Sequence, residues 1–251
     1  STSTHFSMTG STSSTSLDSS FFELGDPTEQ RVIYGPGSSK KVGEYAKQFG
    51  SRALVVTDLG VSSAGHPRKV MESLESAGIR TFLFEESVEN PTDSSVQECA
   101  QKAGMLEIDL IIGVGGGSSL DTAKGANFIL INGGSMKDYW GLSKATKPLL
   151  PMIAIPTTAG TGSECQSYAL ISDDQTYRKM ACGDPSALPK VTLLDPELTL
   201  SQPFSVCTAT GMDALAHALE SAVCSRRNDL SGRHARQAFV HLVKNLETVW
   251  K

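Results

Sequence analysis

An apolar run at residues 110–114 opens into Gly115-Gly116-Gly117-Ser118 and then into a helix-forming segment at 120–131. No other stretch constrains this chain as strongly. A buried strand that ends in glycines at a helix N-terminus is how α/β proteins cradle a phosphate. The glycines let backbone approach closely, and unpaired N–H groups with the helix dipole supply positive potential. Ser118 stands where the helix N-cap is expected, and its hydroxyl could also reach a phosphate oxygen. A tight strand–helix turn without any ligand would share the pattern, but three consecutive glycines cost backbone entropy that such a turn does not require. The segment is not the ordinary dinucleotide fingerprint. Gly113-x-Gly115-x-x-Ser118 has serine in place of the third glycine, and two strand–helix units precede it.

From Gln30 onward strand and helix patterns alternate. Strands are expected at 31–34, 53–57, 81–84, 110–114, 152–155, 168–172 and 190–194. Helices are expected at 38–49, at 66–77 (stopped by Gly78 as a C′ glycine), at 93–103 behind Asn90-Pro91-Thr92, and at 120–131. This alternation predicts a parallel sheet covered by helices on both faces. From Pro203 the character changes to helix alone, at 205–224 and from 230 to the end. The expected organisation is a disordered Ser/Thr-rich tail at 1–20, a dinucleotide-binding α/β domain at 21–202, and the start of an all-helical domain at 203–251. The fold class is thus α/β, a Rossmann-like parallel sheet followed by the beginning of a helical unit.

Composition narrows the function classes. A net charge of −5, with no basic run, argues against a nucleic-acid partner. No apolar run approaches the roughly 20 residues of a membrane helix. The five cysteines are scattered and never in C-x-x-C spacing, the pattern of reduced thiols in a cytoplasmic protein. The first 20 residues hold 14 Ser or Thr and no Lys or Arg, which fits neither a secretory signal nor an organelle presequence.

Three further groups carry chemistry. Thr157, Thr158, Thr161 and Ser163, with Gly160 and Gly162 between them, follow the strand at 152–155. They offer hydroxyl and backbone donors at the carboxyl end of a strand, where α/β sheets bind ligands. Asp58 follows the strand at 53–57, placed to accept hydrogen bonds from an adenosine ribose and to repel a 2′-phosphate. Asp213 and His217 lie four apart on a helix, about 40° apart around its axis, and could give two ligands to a divalent metal. Thr210-x-x-Asp213 also resembles a helix capping box, a purely structural alternative. Lys179 could reach a ribose or phosphate, or simply be solvated.

Gly115-Gly-Gly-Ser-Ser-x-Asp121-x-Ala-Lys124, Pro156-Thr-Thr-Ala-Gly-Thr-Gly-Ser-Glu164 and Gly211-Met-Asp213-Ala-Leu-x-His217-Ala-Leu-Glu220 resemble the signatures of the iron-containing (group III) alcohol dehydrogenases. Their order and spacing match from about residue 30 to residue 225. The resemblance implies a dinucleotide-binding domain, a helical domain, and an active site in the cleft between them. It implies NAD and Fe²⁺ as cofactors, with Zn²⁺ possible on the donor types, a small alcohol or aldehyde as substrate, and a homo-oligomer. By position, Asp58 would face the adenosine ribose and Asn90 would lie near the cofactor. Gly116, Gly117 and Ser118 would hold the pyrophosphate, with Asp121 supporting their loop. Thr157, Thr158 and Thr161 would line the cleft, and Lys179 would contact the nicotinamide-side ribose. Asp213 and His217 would be the first two metal ligands.

The family completes its metal site with two later histidines, and His234 and His241 stand too early to be those. On this reading the chain is C-terminally truncated relative to the family. It carries the cofactor half and half of the metal site. The reaction expected of the whole is alcohol to aldehyde or ketone, by hydride transfer to nicotinamide. A relative of the glycerol dehydrogenase or dehydroquinate synthase type, or a non-catalytic nucleotide-binding fragment, stays open as an alternative.

Overall fold

The computed structural model describes residues 22–24 and 30–250, so the tail at 1–20 lies outside the described residues. In chain order the strands are β1 Phe22–Leu24, β2 Arg31–Tyr34, β3 Arg52–Val56, β4 Arg80–Phe84, β5 Leu110–Gly115, β6 Gly141–Leu142, β7 Met152–Pro156, β8 Tyr168–Ser172, β9 Lys179–Gly183 and β10 Val191–Leu194. The α-helices are α1 Val42–Ala46, α2 Leu59–Ser63, α3 His66–Ser76, α4 Asp93–Gly104, α5 Gly117–Asn132, α6 Phe204–Val223 and α7 Asp229–Val249.

Seven strands form one sheet in the order β1-β2-β10-β7-β5-β3-β4. All neighbours are parallel except β1, which runs antiparallel to β2. Alternate side chains feed two cores. Ala53, Val55, Leu110, Ile112 and Val114 pack with Val42, Tyr45, Val70 and Leu74 of α1 and α3. Leu54, Val56 and Ile111 face Val96, Cys99, Leu120 and Ala123 of α4 and α5. Burial on both faces explains why β5 reads as an uninterrupted apolar run; each of Leu110, Ile111 and Ile112 contributes about 1.5–3 kcal/mol by leaving water.

The order has a consequence for ligands. From β3 the chain moves outward to β4, then returns through α4 to β5 on the other side of β3. The helices after β3 and after β5 cover opposite faces, so the carboxyl ends of these neighbours diverge. That is the topological switch point, where open α/β sheets bind ligands.

Several expectations need correction. The helix expected at 38–49 is a 3-10 turn, Ser38–Lys41, followed by the short α1. Gly43 sits in its middle because a Cβ there would meet the Ser73 carbonyl of α3 at 2.3 Å. Residues 168–172 do not join the main sheet. They pair antiparallel with β9 in a second sheet of order β6-β9-β8, whose strands β6 and β9 were not foreseen. The helix expected from 120 begins at Gly117, so Ser118 lies in its first turn and is not the N-cap. Extended Gly116 (φ −73°, ψ −178°) takes that position.

The helices after Pro203 form as expected and pack on each other, with Gly211 close to Leu246 and Trp250. Much of their apolar surface stays exposed, including Phe204, Met212, Leu219 and Val223. Among the described residues no helix is long and apolar enough to cross a membrane.

Candidate active site

Asp58 follows β3 at the switch point and caps α2, accepting the Val61 N–H at 3.0 Å. Its other oxygen accepts the Ser119 hydroxyl at 2.8 Å, so the carboxylate ties the end of β3 to the helix after β5. Gly115 has φ +152°, and a Cβ there would meet the Ser119 hydroxyl oxygen at 2.6 Å, so this step of the turn admits only glycine.

Gly116 carries no side-chain cap, which leaves the first N–H groups of α5 aimed outward with the positive end of the helix dipole. The Ser118 hydroxyl accepts the Asn90 N–H at 3.2 Å and keeps its own proton for another partner. Asn90 holds that position from a left-handed conformation, φ 52°. The structure thus places Asn90 beside Ser118, with Ser118 in the first turn of α5 and not at its N-cap.

The threonine-rich loop leaves β7, the next strand over. The Thr157 N–H donates to the Gly115 carbonyl at 3.0 Å, which extends the β5–β7 ladder past the strand ends and brings the two loops together. A Cβ on Gly116 would touch Thr158 at 3.4 Å, and one on Gly117 would touch Thr161 at 3.1 Å. The Thr158 hydroxyl oxygen is buried with no hydrogen-bond partner. An orphaned hydroxyl beside a glycine cradle is a cost that a bound polar ligand would relieve. These groups fit a dinucleotide pyrophosphate.

Asp121 does not touch the glycine turn. Its carboxylate accepts the Ser163 hydroxyl at 2.6 Å, so it braces the far end of the threonine loop instead. Lys124, one turn further on, is wholly buried and donates to the Ser163 carbonyl at 2.5 Å, the Ser163 hydroxyl at 2.9 Å and the Tyr168 carbonyl at 2.9 Å. The sequence reading assigned Lys124 no role. A cation in a helix segment with Leu120, Ala123, Ala126 and Phe128 around it was the signal. Lys179 opens β9 opposite Ser172, exposed, and its charge reaches Asp121.

Asp213 and His217 come to the same place from α6. Gly160 of the threonine loop (φ +151°) lies against this helix, where a Cβ would fall 2.0 Å from the Thr210 carbonyl. His217 Nδ1 meets the Gly160 carbonyl at 3.0 Å, leaving Nε2 on the outer side, 3.7 Å from Asp213 Oδ1. A ring nitrogen held by a backbone carbonyl is the arrangement that orients a metal-ligating imidazole. The capping alternative fails. The helix begins at Phe204, and the Thr210 hydroxyl donates to the Val206 carbonyl within it. Yet among the described residues no third His, Cys, Asp or Glu joins the pair. The donor set fits two corners of a metal site and no more.

The model of the iron-containing alcohol dehydrogenase family matches residues 29–196. The chain belongs to that family. It is 39% identical over 207 residues to the NAD-dependent methanol dehydrogenase of Bacillus methanolicus, an alignment that covers 82% of this chain and 54% of that protein. The alcohol dehydrogenase of Oenococcus oeni superposes with a TM-score of 0.83 at 32% identity, over 87% of this chain and 58% of the other. An iron-containing alcohol dehydrogenase of Thermotoga maritima gives 0.83 at 30% identity, over 88% and 61%. The chain spans about half the length of the curated relatives it matches.

Proposed function

We propose that this chain carries the NAD-binding half of a metal-dependent alcohol dehydrogenase, which interconverts a small alcohol and its aldehyde or ketone. One observation carries the reading. The glycine turn after β5 and the threonine loop after β7 meet beside the switch point, with an orphaned Thr158 hydroxyl between them and the Asp213–His217 pair beside them. In this reading residues 21–202 are the dinucleotide domain and 203–251 belong to a helical metal-binding domain. Relatives named for methanol, choline and 1,3-propanediol point to a small hydroxylated substrate. Assembly as a homo-oligomer is carried over from the same family.

The residues divide the work by position. Backbone N–H groups at Gly117 and Ser118 hold the pyrophosphate, and Thr157, Thr158 and Thr161 close over it. Lys179 reaches the nicotinamide-side ribose. Asp58 presents a carboxylate to the adenosine ribose. Asp213 and His217 supply an oxygen and a nitrogen donor next to the end of the cofactor where hydride moves. NAD would supply the hydride acceptor, and a divalent ion held partly by Asp213 and His217 would supply Lewis acidity toward the substrate oxygen.

The test is calorimetric titration with NAD and NADP. NAD is expected to bind more tightly, because the Asp58 charge repels a 2′-phosphate. Asp58→Asn is the informative variant, since asparagine caps a helix as well as aspartate and so keeps α2 in place while removing the charge. Its NADP affinity should rise toward that for NAD. Tighter NADP than NAD binding by the unaltered protein would defeat the assignment.

A further inference from the structure

The cleft has two walls, the glycine turn and the threonine loop, and α5 reaches both. Its first turn carries Gly117 and Ser118. Its second carries Asp121 and Lys124, which grip the far end of the threonine loop at Ser163. At its near end the loop is held by β7 and the Thr157–Gly115 hydrogen bond. Between these anchors lie Thr158, Gly160 and Thr161, the segment that closes on the cofactor. The span of the cleft is therefore set by how Lys124 and Asp121 hold Ser163.

Lys124 does this with all three of its protons, on the Ser163 carbonyl, the Ser163 hydroxyl and the Tyr168 carbonyl, while that hydroxyl passes its own proton to Asp121. A neutral amine has two protons and one lone pair. It can still serve both carbonyls, but then it either loses the Ser163 hydroxyl or accepts that hydroxyl's hydrogen bond, which takes it from Asp121, so one of the bonds that fix Ser163 is lost either way. The geometry thus distinguishes the two protonation states of a single side chain. We propose that Lys124 is a positioning residue whose ammonium form locks the threonine loop at the spacing the cofactor needs, so that NAD binding weakens when its proton leaves. The proposal rests on the dinucleotide reading above.

The surroundings put this transition within reach of ordinary buffers. Burial pushes the Lys124 ammonium down to about 8, against the pull of Asp121 on its own helix and of Glu164 and Cys165 on the loop. Lys179 on β9 acts on Asp121 from the opposite side, and Tyr168 contributes only its carbonyl. The sign for stability is opposite to that for binding. An unfolded chain keeps this proton to higher pH than the folded one, so this group makes stability rise with pH between the two values. Loss of NAD affinity across that window with no loss of stability separates a positioning role from simple unfolding.

The experiment is NAD titration of the wild-type chain, Lys124→Met and Ser163→Ala from about pH 7 to about pH 9.5, with urea midpoints measured at each pH. The wild type is expected to lose roughly tenfold in affinity across the range while its urea midpoint holds or rises. Lys124→Met should bind weakly at every pH with a flat profile, and Ser163→Ala should bind more weakly than wild type at neutral pH. If Lys124→Met does not fold, the wild-type profile and Ser163→Ala decide the matter. A flat wild-type profile, or NAD binding by a folded Lys124→Met as tight as wild type, overturns the lock while leaving the dinucleotide site intact. Absence of NAD binding by the wild type at any pH overturns both.

Discussion

Gly117→Val is expected to weaken NAD binding at least tenfold, about 1.4 kcal/mol. The cause is local and twofold. A Cβ at this position would press on three side-chain atoms of Thr161 at 3.1 Å, closer than ordinary contact allows, and valine adds two methyl groups beyond it. Either the threonine loop moves away or the methyl groups take the space over the first N–H groups of α5. Both outcomes deny the pyrophosphate its closest approach. The fold should survive, because the residue lies in the first helical turn and not in either core. Gly116→Ala is the matched control. Its added carbon would meet Thr158 at 3.4 Å, an ordinary contact, so a loss of only a few-fold is expected. Calorimetry on both variants, with far-ultraviolet dichroism to confirm the fold, checks the prediction. Unchanged affinity in a folded Gly117→Val would place the pyrophosphate elsewhere.

The sequence exposed the parts of this fold whose signals are local. β5 and β7 are buried on both faces, so their apolar runs stood out, and Thr92 marks the start of α4 through its capping bond with Ser95. The second sheet was hidden for a physical reason. β9 is mostly buried but reads Lys179-Met180-Ala181-Cys182-Gly183, without a β-branched or aromatic residue, so its strand pattern is weak and it is held by pairing with β8 and β6. The start of α5 was misplaced because serine caps so often that a glycine N-cap is the poorer guess. Here the N–H groups are left bare, which suits a phosphate better than a serine cap would.

The site was legible residue by residue but not in its connections. Glycines, threonines, Asp58, Asp213 and His217 each declared a chemistry through type and spacing. That Asp58 also ties Ser119 to α2, that Asp121 braces Ser163 and not the glycine turn, and that Gly160 carries both the α6 contact and the His217 bond depend on contacts between residues 42 to 61 positions apart. No periodicity reports such pairs. Lys124 is the clearest case. Its helix is buried all round from Ser119 to Phe128, and the acceptors that Lys124 meets at Ser163 and Tyr168 come from another part of the chain, which the sequence could not name.

The 251-residue chain is expected to bind NAD yet retain no stoichiometric metal and show no appreciable alcohol-dependent NADH formation. Asp213 and His217 are well posed as ligands: 3.7 Å apart, on one face of α6, with the imidazole oriented by the Gly160 carbonyl. Both are about half exposed, however, and no further donor stands near them among the described residues. A catalytic ion is ordinarily held by three protein ligands with one position left for substrate. With two, water competes for the remaining positions and the ion exchanges into buffer. A different face of α6 leaves Met212, Leu219 and Val223 exposed. Fusing the C-terminal helical segment of a family member, with its further histidines, should restore both metal retention and turnover, and His217→Ala in that fusion should abolish them again. Metal analysis after gel filtration, with absorbance at the NADH band, gives the answer. Stoichiometric iron or zinc in the 251-residue chain, accompanied by alcohol-dependent NADH formation, would show that Asp213 and His217 find their remaining partners within this chain.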